Sequence, residues 1–98
     1  MKEITVEELK YMQERNEPFQ LIDVREPHEY EEANLGAKLI PLGQIKDQTD
    51  QIDRDKPVIV HCRSGKRSAQ AIQYLEQQGF DNLYNLKGGI LAHQEAED

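Results

Sequence analysis

The chain has 98 residues, of which 37 % are hydrophobic and 6 % aromatic, so we expect one modest core and a single domain over residues 1–98. Its 19 acidic side chains outnumber the 12 basic ones and give a formal charge of −7, which argues against nucleic acid or an anionic membrane surface as a partner. The sequence contains no apolar run near the roughly 18 residues that span a bilayer, and its start, MKEITVEELK, is unlike a secretory signal. We therefore expect a soluble, cytoplasmic protein, and we expect it to be a monomer.

The first half of the chain alternates helical and strand patterns. Thr5 and Glu8 have the spacing of a capping box, which predicts a helix from about residue 6 to residue 15. The short apolar run over residues 19–24 predicts a buried strand. A short helix over residues 26–32, with Pro27 in its first turn, a second strand over residues 38–40 and a weaker helical pattern over residues 42–52 follow.

The second half repeats this alternation more clearly. The β-branched run Val58–Val60 predicts a strand that is buried on both faces of a parallel sheet. Helical spacing of apolar residues follows and ends near Gly79, a plausible residue just past a helix end. A strand over residues 83–86, a turn at Gly88-Gly89 and a terminal helix over residues 90–96 complete the pattern. Together these elements predict an α/β domain with a largely parallel central sheet.

The single cysteine, Cys62, lies between the predicted strand and the helix that follows it. One cysteine forms neither an internal disulfide nor a CxxC pair, so it is either a buried filler or a reactive thiol. In parallel sheets, ligands bind beyond the carboxyl ends of the strands, and a helix N-terminus favours a thiolate and an anionic substrate. Three of the 12 basic residues follow within five positions, namely Arg63, Lys66 and Arg67. The pattern therefore favours Cys62 as a nucleophile.

The histidines and the other charged residues receive structural interpretations. His61 precedes Cys62 on a strand, where adjacent side chains point to opposite faces, so direct proton transfer between the two is awkward. His28 and His93 lack metal-ligand spacing, and we expect neither a metal nor another cofactor. We expect three residues to form an ion-pair and hydrogen-bond set that fixes the loop after the first predicted strand: Asp23, Arg25 and Glu29. We assign no catalytic role to Gly88-Gly89.

With these features in order, the sequence resembles the rhodanese family over nearly its whole length. The motifs that carry the resemblance are the leading helix, Leu21–Glu26 with Glu29-Tyr30, Gly36-Ala37 before Ile40-Pro41, the loop Cys62–Ser68 and Gly88–Ile90. Each piece is weak alone, and the set in this order is specific. The resemblance implies a three-layer α/β/α fold with a central, mostly parallel sheet.

The resemblance also implies a sulfurtransferase that carries sulfur as a persulfide on Cys62. The donor would be a small anion such as thiosulfate, and the acceptor would be cyanide, a thiol or a protein. The implied substrate-binding residues form the loop after the cysteine: Arg63, Ser64, Gly65, Lys66, Arg67 and Ser68. Backbone amides of this loop would cradle the outer sulfur, and its cations would attract the donor and stabilise the departing sulfite.

Two stretches depart from the family pattern. The segment over residues 33–37 is one residue shorter than usual and has Asn34 where histidine is common. His93 stands where the family usually has tryptophan. We expect both differences to alter the rim of the pocket and therefore the choice of donor more than the chemistry.

Two alternatives to an enzyme of this type stay open. His61-Cys62 before a basic loop is similar to the phosphate-binding loop of phosphatases and arsenate reductases. Such a loop needs five residues between cysteine and arginine, whereas four separate Cys62 from Arg67, which suits a single sulfur atom better. The other alternative is a regulatory binding module or a persulfide relay without significant thiosulfate turnover. The absence of a second cysteine means that another molecule must accept the sulfur.

Overall fold

The computed structural model describes residues 1–97, and its element order alternates strands with helices. The strands are β1 (Glu3–Ile4), β2 (Gln20–Asp23), β3 (Lys38–Leu39), β4 (Val58–His61) and β5 (Leu83–Leu86). The α-helices are α1 (Val6–Glu14), α2 (Pro27–Glu32), α3 (Lys66–Gln77) and α4 (Gly89–Glu97). All five strands are parallel, in the order β1-β5-β4-β2-β3, which confirms the predicted α/β class.

Two apolar clusters lie on opposite faces of the sheet and produce the three layers. In β4, Val58 and Val60 face α3 and the segment before β4, whereas Ile59 faces α1 and α4. All three side chains are fully buried, which confirms the expectation of a strand covered on both faces. Burial of this central strand gives the sheet a single register, because a slip of one residue would exchange the two faces.

Local signals account for the start of α1 and the end of α3. Thr5 Oγ1 accepts the Glu8 amide at 3.1 Å and Glu8 Oε1 accepts the Thr5 amide at 3.0 Å, so the predicted capping box starts α1. Gly79 has φ +94° directly after the cap of α3, and the Phe80 amide donates to the Leu75 carbonyl at 3.1 Å. This is the hydrogen-bond pattern that a left-handed glycine permits at a helix end.

Besides shifts of one residue at several element ends, the structure differs from the expectations in two places. Strand β1 is not predicted, because two residues are too few for a pattern and their pairing with β5 is a tertiary contact. The helical pattern over residues 42–52 forms two 3₁₀ segments, Leu42–Asp47 and Thr49–Gln51, since its apolar residues Leu42 and Ile45 recur at the three-residue spacing of that helix. Helix α4 begins at Gly89, one residue earlier than predicted.

The fold places two loops side by side at the carboxyl edge of the sheet. Asp23, the last residue of β2, is in register with His61, the last residue of β4. The Val24 amide donates to the His61 carbonyl at 3.0 Å, which ties the two strand ends together. Among residues 1–97, no helix is both long and apolar enough to cross a membrane.

Candidate active site

Cys62 occupies the position that the sequence predicts for it, between the end of β4 and the start of α3. Its side chain is buried, with 1 % of the residue exposed. The sulfur accepts a hydrogen bond from the Gly65 amide at 3.1 Å and lies 3.4 Å from Ser68 Oγ. Gly65 has φ +109°, a left-handed conformation that suits glycine and turns the chain from the loop into α3.

These contacts favour the charged form of the sulfur. Burial by itself raises the pKa of the Cys62 thiol, but hydrogen bonds from the Ser68 hydroxyl and from the amides of Ser68, Gly65 and Ser64 lower it further than burial raises it. The pKa of Cys62 therefore lies below its ordinary value. A thiolate is the nucleophilic form of cysteine, so the loop supplies the environment that sulfur chemistry requires.

Asn85 joins the site from β5, and the sequence analysis did not identify it. Its Oδ1 accepts the Ser68 hydroxyl at 2.6 Å, and its Nδ2 donates to the Gly65 carbonyl at 3.1 Å. The only signal in the sequence is an amide within an apolar strand, between Leu83 and Leu86. A polar residue at such a position needs buried partners, and here the loop provides them.

Gly89 holds the other side of the loop, although the sequence analysis treated Gly88-Gly89 as a turn alone. The amides that follow it donate to the loop, from Ile90 to the Cys62 carbonyl at 3.0 Å and from Leu91 to the Arg63 carbonyl at 3.2 Å. A Cβ on Gly89 would lie 2.5 Å from both of those carbonyl oxygens. Glycine is required because α4 begins against the backbone of the loop.

The three basic residues of the loop have different surroundings. The side chains of Arg63 and Lys66 are exposed. Arg67 instead donates to both carboxylate oxygens of Glu29, at 2.7 and 2.9 Å. This hydrogen bonding holds the pKa of Glu29 at about 2 and raises that of Arg67. The guanidinium of Arg67 is thus already paired, which the prediction of a substrate-binding role did not anticipate.

The loop after β2 contains a buried ion pair, as the sequence predicts. Asp23 Oδ2 accepts from Arg25 Nη2 at 2.8 Å, and Asp23 Oδ1 accepts the amide and Nε of Arg25. Arg25 also donates to the Ala33 carbonyl at 2.8 Å and so anchors the end of α2. Glu29 joins this set through its backbone carbonyl, which accepts Arg25 Nη1 at 3.4 Å, whereas its carboxylate pairs with Arg67.

His61 is fully buried and packs as a structural residue would. Its Nδ1 lies 3.3 Å from the Cys62 carbonyl oxygen, and its Nε2 lies 3.7 Å from Asp23 Oδ2. Burial is the largest effect on its pKa and lowers it, against the opposing charge of Asp23. Both ring nitrogens face the backbone and the scaffold rather than the sulfur, in agreement with the strand geometry used for the prediction.

The two departures from the family pattern line one cleft. Asn34 and His93 both border a cleft of about 460 Å³, and His93 Nδ1 lies 3.3 Å from Glu97 Oε1. A smaller cleft of about 210 Å³ shares Ile90 with it and extends to Arg63 on the rim of the loop. His28 is exposed on α2. Asn34 and His93 therefore lie beside the approach to the loop, outside the contacts made by Cys62.

Comparisons with known proteins agree with this geometry. Residues 5–96 match the family described as the rhodanese-like domain. The chain is 46 % identical over 91 residues to YqhL of Bacillus subtilis, covering 92 % of this chain and 70 % of that one. It is 38 % identical to a protein of Allochromatium vinosum named sulfurtransferase, covering 94 % and 87 %. The crystal structure of a rhodanese-like domain protein from Staphylococcus aureus superposes with a TM-score of 0.88 at 36 % identity, covering 95 % and 91 %.

Proposed function

The chain belongs to the family of rhodanese-like domains, and from that premise we propose that it is a sulfurtransferase that carries sulfane sulfur as a persulfide on Cys62. The observation that carries the proposal is the pair of polar groups around the only sulfhydryl group of the chain: the Gly65 amide, which donates to Sγ at 3.1 Å, and the Ser68 hydroxyl, whose oxygen lies 3.4 Å from Sγ. A relative named sulfurtransferase, similar over most of both chains, supports the same chemistry.

In the first step, the Cys62 thiolate attacks the outer sulfur of a donor such as thiosulfate. A new bond forms between Sγ and that sulfur while the bond from that sulfur to the sulfonate group breaks, so sulfite leaves with the electron pair. One negative charge enters with the thiolate and one remains on the persulfide, and sulfite carries the two charges of thiosulfate. The lowered pKa of Cys62 supplies the thiolate.

In the second step, an acceptor attacks the outer sulfur of the persulfide. The bond between the two sulfur atoms breaks, its electrons return to Sγ as a thiolate, and the acceptor leaves as thiocyanate or as a new persulfide. Because Cys62 is the only cysteine, the acceptor must be another molecule, either a small thiol, cyanide or a protein. A relay that receives sulfur from a protein donor uses the same second step.

We assign attraction of the anionic donor to Arg63 and Lys66, since both cations are exposed at the rim of the loop. Arg67 stays in the proposed donor site, but its pairing with Glu29 gives it the additional task of holding the loop. Ser64 and Gly65 contribute amides that stabilise charge on the bound sulfur. The sequence predicted substrate binding for this loop as a group, and the proposal gives its residues individual roles.

Intact-mass spectrometry after treatment with thiosulfate and desalting tests the proposal. The wild type is expected to gain about one sulfur atom, removable by a reductant, whereas Cys62→Ser gains none and folds normally. Retained thiosulfate to cyanide transfer in Cys62→Ser would overturn the assignment. A wild type that stays unmodified by thiosulfate but loads from a persulfide donor would support the relay instead.

The size of the loop separates sulfur transfer from phosphatase chemistry. Inserting one glycine between Gly65 and Lys66 creates the five-residue spacing of a phosphate-binding loop. We expect the insertion to displace the Gly65 amide from Sγ and to slow sulfur transfer. To check this expectation, the rate of sulfur loading is measured in the insertion variant and in the wild type. Hydrolysis of a phosphate monoester is measured in both proteins as well. Unchanged sulfur loading would remove loop size as the discriminator.

A further inference from the structure

The Ser68 hydroxyl has one hydrogen and two neighbours that compete for it. Asn85 Oδ1 lies 2.6 Å from Ser68 Oγ, and Cys62 Sγ lies 3.4 Å from it. All three groups are buried, since Ser68 is fully enclosed and Asn85 is 5 % exposed. Water therefore does not readily replace whichever partner the hydroxyl leaves, and the choice between the two partners has a large free-energy consequence.

The orientation of the Asn85 amide is determined by its other contacts. Its Nδ2 donates to the Gly65 carbonyl at 3.1 Å and approaches Met1 Sδ at 3.8 Å, and the carbonyl accepts only. Its Oδ1 must then face Ser68, and an amide oxygen has no hydrogen to offer. The short contact between Ser68 and Asn85 is therefore a hydrogen bond that Ser68 donates.

The charge on Cys62 changes what Ser68 can satisfy. A protonated thiol donates to Ser68 Oγ while Ser68 donates to Asn85, so every group in the chain has a partner. A thiolate can only accept, and Ser68 then either turns its hydrogen to Sγ and leaves Asn85 Oδ1 without a donor, or presents a lone pair to the negative sulfur. Asn85 thus competes with the Cys62 thiolate for one proton.

We propose that Asn85 is a positioning residue that directs the Ser68 hydroxyl, drawing its hydrogen away from Cys62 whenever Sγ is uncharged and releasing it when Sγ becomes a thiolate. The inference rests on the proposed sulfur transfer for its purpose. When the persulfide forms, the negative charge moves from Sγ to the outer sulfur and the hydroxyl returns to Asn85. When the acceptor removes the outer sulfur, the electron pair returns to Sγ and Ser68 turns to stabilise the departing thiolate.

Two substitutions of Asn85 separate this role from that of a simple brace. Asn85→Leu removes the competing acceptor, so Ser68 donates to Sγ throughout, and Asn85→Asp keeps an acceptor that holds the hydroxyl more strongly. Both variants lose the bond to the Gly65 carbonyl. The test is the pH dependence of iodoacetamide alkylation of Cys62, which reports the thiolate fraction and does not require sulfur transfer.

We expect the alkylation midpoint to fall in Asn85→Leu and to rise in Asn85→Asp, with about a tenfold change in thiolate fraction below the midpoint, because a hydrogen bond to a charged group is worth that factor or more. In a Ser68→Ala background, the Asn85→Leu shift should disappear. Shifts of both variants in the same direction, or a shift that persists without the Ser68 hydroxyl, would overturn the proposal.

Asn82 provides the matched control. It lies just before β5 and donates through Nδ2 to the Asp53 and Lys56 carbonyls at 2.9 and 2.7 Å, away from Cys62. Asn82→Leu should lower stability and leave the alkylation profile unchanged.

If Asn85→Leu does not fold, Asn85→Asp is measured with and without Ser68→Ala. The rise of the alkylation midpoint in Asn85→Asp must then shrink when the hydroxyl is removed, and an undiminished rise would overturn the proposal. Sulfur loading of the wild type judges the proposed function separately.

Discussion

Two loops leave neighbouring strand ends, and they use their charged residues in opposite ways. At the end of β2, Asp23 and Arg25 neutralise each other in a buried pair at 2.8 Å. After β4, Arg63 and Lys66 are exposed beside a sulfur that is itself hydrogen-bonded by the loop. The first loop satisfies its charges internally, whereas the second leaves them available for a ligand.

The difference teaches that the loop after β2 and the helix that follows it form a scaffold for the loop after β4. Arg25 fixes the end of α2 through the Ala33 carbonyl, and α2 presents Glu29 to Arg67. The loop after β4 can then contain exposed cations because a neighbouring, charge-compensated segment holds its shape. Substitutions in the scaffold should change stability, and substitutions in the exposed part should change substrate affinity.

The largest expected effect breaks the scaffold. Asp23→Ala leaves Arg25 buried without its partner, and removing one member of a buried ion pair costs about 3–5 kcal/mol of unfolding free energy. Urea denaturation of the variant measures it. Asp53→Ala, which removes the exposed pair with Lys56 at 3.5 Å, should cost far less, because solvent screens that pair. Equal losses in the two variants would contradict the scaffold interpretation.

The next effect displaces the functional loop directly. Gly89→Ala places a Cβ 2.5 Å from the Cys62 and Arg63 carbonyl oxygens at φ +60°, so we expect sulfur loading to fall at least tenfold. Gly36→Ala is the control for backbone strain alone, since its φ is +76° and its Cβ meets nothing within 4 Å. It should lose about 1–2 kcal/mol of stability and keep its loading rate. Normal sulfur loading by Gly89→Ala would show that the start of α4 does not hold the loop around Cys62 in its active shape.

A smaller effect links the two loops. Glu29→Gln weakens the pair of hydrogen bonds with Arg67. We expect the unfolding free energy to fall by about 1 kcal/mol at neutral pH, a modest loss because the pair is partly exposed. The folded pKa of about 2 lies below the ordinary value of 4.5, so this stabilisation is complete above about pH 4.5 and declines as the pH falls towards 2. Denaturation at pH 6 and pH 3 should show the gap between variant and wild type narrowing; a constant gap would refute the linkage.

The smallest effect on stability sharpens the comparison at the exposed rim. Arg63→Gln and Lys66→Gln should change unfolding free energy by no more than about 0.5 kcal/mol while raising the thiosulfate concentration needed for half-maximal loading. That increase should shrink at high ionic strength. Lys56→Gln removes the same charge beside the amino end of β4 and should leave loading unaltered. If Lys56→Gln weakened thiosulfate loading equally, the net charge of the protein, and not the cations at the rim of the loop, would be responsible for attracting the donor.

Local signals were sufficient for much of the fold. The β-branched run Val58–Val60 predicted a strand covered on both faces, and Thr5 with Glu8 predicted the start of α1. The helical pattern around Ile45 did not specify the type of helix, because sparse apolar residues do not distinguish a 3₁₀ turn from an α-helix. Strand β1 escaped detection because its two residues are ordered by pairing with β5 alone.

The sequence by itself identified Cys62 as the candidate nucleophile. A single cysteine between a β-branched strand and a helical pattern, followed by three cations, has few other interpretations, and these features are all local. Only the tertiary structure decided how the loop is held: Asn85 from β5, Glu29 from α2 and Gly89 from α4 reach it from 17 to 38 positions away or through the backbone. Such contacts depend on how strands and helices pack, which residue spacing along the chain does not encode.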